Sequence, residues 1–151
     1  MNTRRNQGFT LVEILIVVVI LGILAAIVIP QFSSASTEAK ENSLQSSLQT
    51  MRSQISLYKI QHNDVAPVVA TFEAQMTTYT DIDGGTAAAK DATHTFGPYL
   101  QSVPLNPFTA GNTVGSADTF DWNYTVDAGG TEAAIHAGAD TTANNLIHQA
   151  Y

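Results

Sequence analysis

GFTLVEILIVVVILGILAAIVIPQF, residues 8–32, is the most apolar stretch of this chain, and one carboxylate, Glu13, sits inside it. Between residues 9 and 29 only Thr10, Glu13 and the small Gly22 interrupt the apolar run. A helix of that length reaches about 32 Å at 1.5 Å per residue, enough to cross the hydrocarbon core of a bilayer. Arg4 and Arg5 lie just before it, and the next basic residue is Lys40. The positive-inside rule therefore places the N-terminus in the cytoplasm and exports the remainder. A carboxylate at the centre of a spanning helix costs about 2.5–3.5 kcal/mol on insertion scales, so its position needs a reason.

Neither a secretory signal peptide nor a plain anchor supplies that reason. A signal peptide has its small-residue cleavage site after the apolar segment. Here that segment ends in the bulky LAAIVIPQF, and the available glycine, Gly8, precedes the run. A plain anchor explains length and orientation but not Glu13. The combination of a basic leader, Gly8, the aromatic Phe9, TLVE and an apolar run ending in Pro30 closely resembles the N-terminal segment of type IV pilins and type II secretion pseudopilins. The resemblance implies that a prepilin peptidase cuts between Gly8 and Phe9 and that Phe9 becomes N-methylated. It also implies that the mature chain polymerises through its N-terminal helix.

Within that reading Glu13 is an assembly residue. It follows Phe9 by four residues, about one helical turn. In a bundle of staggered parallel helices, the new amine of one subunit can meet the Glu13 carboxylate of another. Coulombic attraction is stronger in a low-dielectric bundle, although both groups lose hydration. The pair thus acts as a registry device, favouring one stagger. Gly22 and Pro30 are weak points in the same helix, since glycine costs about 1 kcal/mol relative to alanine and proline removes a backbone hydrogen bond. Pro30 can simply mark the membrane exit. The resemblance implies instead a helix that bends or unwinds between Gly22 and Pro30 as it packs into a fibre.

After Pro30, Leu44, Leu48, Met51, Ile55 and Tyr58 recur at helical spacing among Ser, Gln, Lys, Arg and Glu. That is a narrow apolar stripe barely two heptads long, suited to docking on a globular core rather than to a coiled-coil seam. The helix is expected to run from about Phe9 to Gln61 and to stop near His62, Asn63 and Asp64, before Pro67. In the remainder, VVATFEAQMTTYT reads as a short helix or loop, and DGGTAAAKDATHT as a small-residue loop. GPYLQSVPLNPF, with three prolines, reads as extended or turning. This last stretch resembles the corresponding segment of major, G-type pseudopilins, with Asn106 and Phe108 where those have an acidic residue and a tryptophan. FDWNYTVD alternates Phe120, Trp122, Tyr124 and Val126 with polar residues and reads as a strand with one face on the helical stripe. Residues 128–130 then turn, TEAAIHA returns as a second strand, and the polar tail to Tyr151 is irregular.

Composition limits the chemistry. The 151 residues carry a net charge of −7, only 13% charged residues and no cysteine. No basic surface outside the leader favours nucleic acid, and disulfides, thiol nucleophiles and cysteine metal sites are excluded. His62, His94, His136 and His148 form no metal-binding spacing, and no hydrolase or nucleotide-binding motif is present. Nothing points to an enzyme or a cofactor. Beyond Asn63, ten acids face the single base Lys90. Major pseudopilins bind calcium in their C-terminal loops, and the resemblance raises that site here, but no EF-hand pattern is present and no ligands are assigned. A solvated acidic surface explains the same charges.

The expected architecture is α+β and pilin-like. It comprises a leader, 1–8, a transmembrane polymerisation helix, 9–30, an amphipathic continuation, 31–62, and an exported head, 63–151, with a C-terminal β-hairpin. The expected function is that of a structural subunit of a type II secretion-like pseudopilus, in the bacterial inner membrane with its N-terminus cytoplasmic. Its expected partners are further copies of itself, a prepilin peptidase and an inner-membrane assembly platform. A type IV pilus subunit for adhesion, motility or DNA uptake is one alternative, and a minor or anchored binding subunit is the other. Glu13 argues for a body subunit, because minor subunits of the family often lack it.

Overall fold

The computed structural model describes residues 9–138, with the side chains of Pro30 and Ser33 excepted. The chain divides into two compact units, Met1–Ala39 and Lys40–Tyr151. One α-helix, α1 (Leu11–Gln61), contributes to both. Its helical assignment continues without a break past Gly22 and Pro30.

The second unit is organised by the stripe that the periodicity predicts. Leu44, Leu48, Met51, Ile55 and Tyr58 are all buried in one core cluster. Three and four residues apart, they fall on one side of α1, and the uncharged or polar residues between them remain at the surface. The helix ends where expected. Asn63 and Asp64 adopt positive φ, and the Asp64 N–H donates to Lys59 O at 2.8 Å, a Schellman-type closure.

Beyond the helix a 3-10 turn (Val69–Thr71) leads into a short helix, α2 (Phe72–Thr77). Phe72 and Met76 face the core. Strand β1 (Tyr79–Thr80) pairs antiparallel with β2 (Thr86–Ala87), which lies inside the stretch expected to be only loop. The proline-bracketed segment takes no regular element. It is tied down by the Tyr99 and Leu100 amides, both donating to Met76 O, and includes a cis Gly97–Pro98 bond.

A second sheet has the order β3–β4–β5, formed by Val114–Gly115, Trp122–Val126 and Ala133–Ala137. The β4–β5 hairpin is antiparallel as predicted, with Tyr124 opposite Ile135. β3 joins β4 in parallel, so this sheet is mixed. The connection between them is too short for a crossover helix. It closes instead through Asp121, whose carboxylate accepts from the Thr113 amide at 2.8 Å and its hydroxyl at 2.6 Å. Phe120 lies over Gly115, where a β-carbon would collide with the ring, so glycine is required there.

Trp122 and Tyr124 face the core, and their polar ends find backbone acceptors: the indole N–H donates to Pro104 O and the Tyr124 hydroxyl to Pro67 O, both at 2.8 Å. Asn123 departs from the expected alternation. It is also buried, because the 116–121 segment covers the second face of β4 and Asp118 accepts from its Nδ2. Phe120 precedes the strand and stays partly exposed. The tail expected to be irregular lies, after Gly138, outside the described residues.

Candidate functional site

The first turn of α1 is built from Thr10 and Glu13. Glu13 Oε2 accepts from the Thr10 N–H at 2.8 Å and from its hydroxyl at 2.7 Å, while the Glu13 N–H reaches Thr10 Oγ1 at 3.3 Å. This is a reciprocal capping box: the side chain at N-cap serves the amide at N3, and the N3 carboxylate serves the N-cap amide. Thr10 was not singled out from the sequence, although T-x-x-E is the signature that finds it. Its presence alters the energetic reading of Glu13. The carboxylate enters the apolar segment with two donors already in place, so part of its desolvation cost is offset within the subunit. The same box satisfies amides that an N-terminus otherwise leaves without acceptors.

From Ile14 to Ile29, Gly22 apart, the helix is apolar and uncovered. The most apolar window of α1 has a mean hydropathy of 3.3 and none of it is buried, which is unlike the core helix of a soluble protein. Phe9 is 84% exposed. A contiguous apolar surface of this size marks a membrane or protein contact. Around Gly22 no other group comes close enough to touch an added β-carbon, so no intramolecular packing demands glycine there. Of the other residues expected to act, Gly8 lies outside the described residues and Pro30 has only its helical backbone described.

In the second unit, the largest polar cluster is structural. His62 is buried and stacked on Tyr58 at a ring separation of 3.7 Å, with Nδ1 against Tyr58 O and Nε2 against Thr80 Oγ1. Burial, then the neighbouring Tyr99 and Asp81, push the Tyr58 phenol up to about 12. Burial also pushes the Tyr124 phenol well up. These are the features of a hydrogen-bonded core.

A calcium site takes six to eight oxygens; of the acidic side chains, Asp81, Asp91 and Asp127 close their own loops, and Asp140 lies outside the described residues. Asp81 accepts from the Asp83 and Gly85 amides, and Asp91 from the His94 and Thr93 amides. Asp127 accepts from the Thr131 and Glu132 amides. The His94 amide and ring, followed by Thr93, hold the Asp91 carboxyl well below the usual range. The Glu132 amide foremost, then Thr131 and Gly129, likewise lower the Asp127 carboxyl against the opposing effect of burial. Among the described residues no three His, Cys, Asp or Glu side chains gather to hold a metal.

Comparison with known proteins agrees with an apolar, capped N-terminal helix. Residues 3–29 match the prokaryotic N-terminal methylation motif. The type II secretion system core protein G of Pseudomonas aeruginosa is 32% identical over 145 residues, covering 93% of this chain and 96% of that protein. The core protein G of Vibrio cholerae is 28% identical over 142 residues, covering 91% and 90%. The type IV major pilin protein PilA of Myxococcus xanthus is 47% identical over 47 residues, or 31% of this chain and 21% of the pilin. No solved structure matches. With an α+β fold, the methylation motif and near full-length similarity to these relatives, the chain belongs to the pseudopilin family of type II secretion system core protein G.

Proposed function

We propose that this chain is the repeating structural subunit of a type II secretion-like pseudopilus, made as a precursor and driven into a fibre through α1. Residues 1–8 are the leader and the cut falls between Gly8 and Phe9, with Phe9 then methylated. Residues 9–30 span the inner membrane with the N-terminus cytoplasmic. Residues 31–62 carry the helix into the exported head, 63–151. The observation that carries this reading is the wholly unburied apolar part of α1 with a carboxylate held in its first turn. Such a surface is stable only in lipid or among like helices, and the carboxylate selects between staggers of those helices.

The role is mechanical and not enzymatic: subunits added at the membrane lengthen the fibre and displace exported protein outward. A prepilin peptidase and a membrane assembly platform are the partners this requires. Gly22 and Pro30 provide the place where the helix yields during packing. A pilus role rests on the local match to the Myxococcus pilin, and the near full-length matches favour the secretion fibre. The test is Glu13→Leu in the full-length chain. Membrane insertion stays at the wild-type level and fibre yield collapses; fibres at wild-type yield overturn the role given to Glu13.

A further inference from the structure

A heterologous contact that repeats to give an open filament needs two different, mutually complementary patches on one subunit. The second unit carries two such patches, one along the Arg52–Lys59 side of α1 and one at the β1–β2 turn. At the first patch, Arg52, Ser56 and Lys59 follow at helical spacing and line a groove with Ile55 and strand β5. Arg52 is anchored there by donating to Ile135 O at 3.0 Å. The bonds Asp127 N–H to Glu132 O and Gly138 N–H to Asp121 O fix the hairpin's alternation. By that alternation the N–H and C=O groups of Ala133, Ile135 and Ala137 point away from β4, toward the outer edge of the sheet. The groove therefore has an apolar floor, two cations and a strand edge.

At the second patch, Tyr58 and His62 border the β1–β2 turn through Ile82 and Asp83. The turn reads Asp-Ile-Asp, with Ile82 42% exposed and Asp83 exposed. It is held rigidly: Asp81 accepts from the Asp83 and Gly85 amides, and Gln75 Nε2 donates to Gly84 O at 2.8 Å. An apolar knob beside carboxylates and an apolar floor beside cations are thus both present on the subunit.

Resting on the fibre reading above, we propose that adjacent subunits are locked side by side by the Asp81–Ile82–Asp83 turn of one copy seated in the Arg52–Lys59 groove of the next. The occupant is a second copy because both halves of the contact are present on every chain, lined by different residues and complementary in charge. In a chain of net charge −7, this contact also brings two of its few cations against carboxylates of its neighbour, relieving repulsion between heads. Lys59 already pairs with Asp64 at 3.2 Å, and because Asp64 is exposed and Lys59 half-buried, the pair can exchange Asp64 for a neighbour's carboxylate.

The absence of cysteine makes the contact directly testable in fibres of the full-length chain. Copies carrying Ser56→Cys are mixed with copies carrying Asp83→Cys, assembled and oxidised. The proposal expects disulfide-linked dimers from the mixture and a ladder of higher oligomers when one chain carries both substitutions. Fibres that form without these crosslinks overturn the proposal and leave the fibre reading standing, as do crosslinks formed by either single variant alone. A wild-type chain that forms no fibre overturns both. Independently, Lys59→Glu is expected to lower fibre yield by roughly twofold to fivefold per contact, and Asp83→Lys in the same chain to restore it. Yield unchanged by Lys59→Glu overturns the lock.

Discussion

Leu48 sits at the middle of the α1 stripe and is 1% exposed, whereas Leu57 and Ile60 on the same helix are 40% and 80% exposed. Replacing Leu48 by alanine removes three buried carbons from a core that also holds Trp122, Tyr124 and Met51. Lost transfer energy and the residual cavity together cost about 2–5 kcal/mol at such a site. For a domain of this size that corresponds to a fall of roughly 8–20 °C in Tm. Leu57→Ala and Ile60→Ala remove the same kind of surface from the uncovered side and should each cost about 0.5 kcal/mol or less. The assay is thermal unfolding of the full-length, detergent-solubilised protein, followed by the emission of its single tryptophan, Trp122. Because Trp122 is fully buried, its emission reports loss of this core directly. A Leu48→Ala loss below about 1 kcal/mol, or one equal to that of Leu57→Ala, refutes the docking of α1 through this stripe.

Two further outcomes follow from titrating groups. The phenols of Tyr58 and Tyr124 are raised, chiefly by burial, so the folded state keeps protons that the unfolded state releases near pH 10. Their contribution is intact below about pH 10 and is lost as pH rises, for Tyr58 through about 12. Tyrosinate absorbance and the loss of Trp122 emission should therefore rise together above about pH 10; ionisation of all the tyrosines near that pH with the emission unchanged contradicts it. Asp91 and Asp127 are lowered by hydrogen bonds, so what they add is present above about pH 4 and is lost as pH falls through their folded values. Their carboxyl resonances should titrate below those of an unstructured peptide, and titration at or above the peptide value refutes the loop closures assigned to them.

The features carried by local pattern were legible in the sequence. The spacing of Leu44 through Tyr58 identified the docking face, and alternation in residues 120–127 with the glycines after it identified the β4–β5 hairpin. Gly, Phe and TLVE before an apolar run identified the family. What escaped the reading depends on contacts between distant residues. β1, β2 and β3 have two residues each, too few to show any period, and exist because Thr80, Phe96 and Trp122 offer backbone partners from elsewhere in the chain. Asn123 is buried because a neighbouring loop folds over it, which alternation cannot register. Thr10 is legible as well, since T-x-x-E ahead of an apolar run marks a capping box and its hydroxyl is the local partner of Glu13. The two roles are compatible: the capping box keeps the carboxylate satisfied within one subunit, and assembly adds a charge that Thr10 lacks.

The processing event is the point on which the rest depends, because only cleavage creates the amine that Glu13 is proposed to meet. Intact mass combined with N-terminal sequencing of the protein recovered from its native envelope tests it most directly. A chain that begins at Phe9 and carries one added methyl group is the predicted result. A chain still beginning at Met1, without the methyl, would contradict the account, leaving an unprocessed anchor with no amine for Glu13.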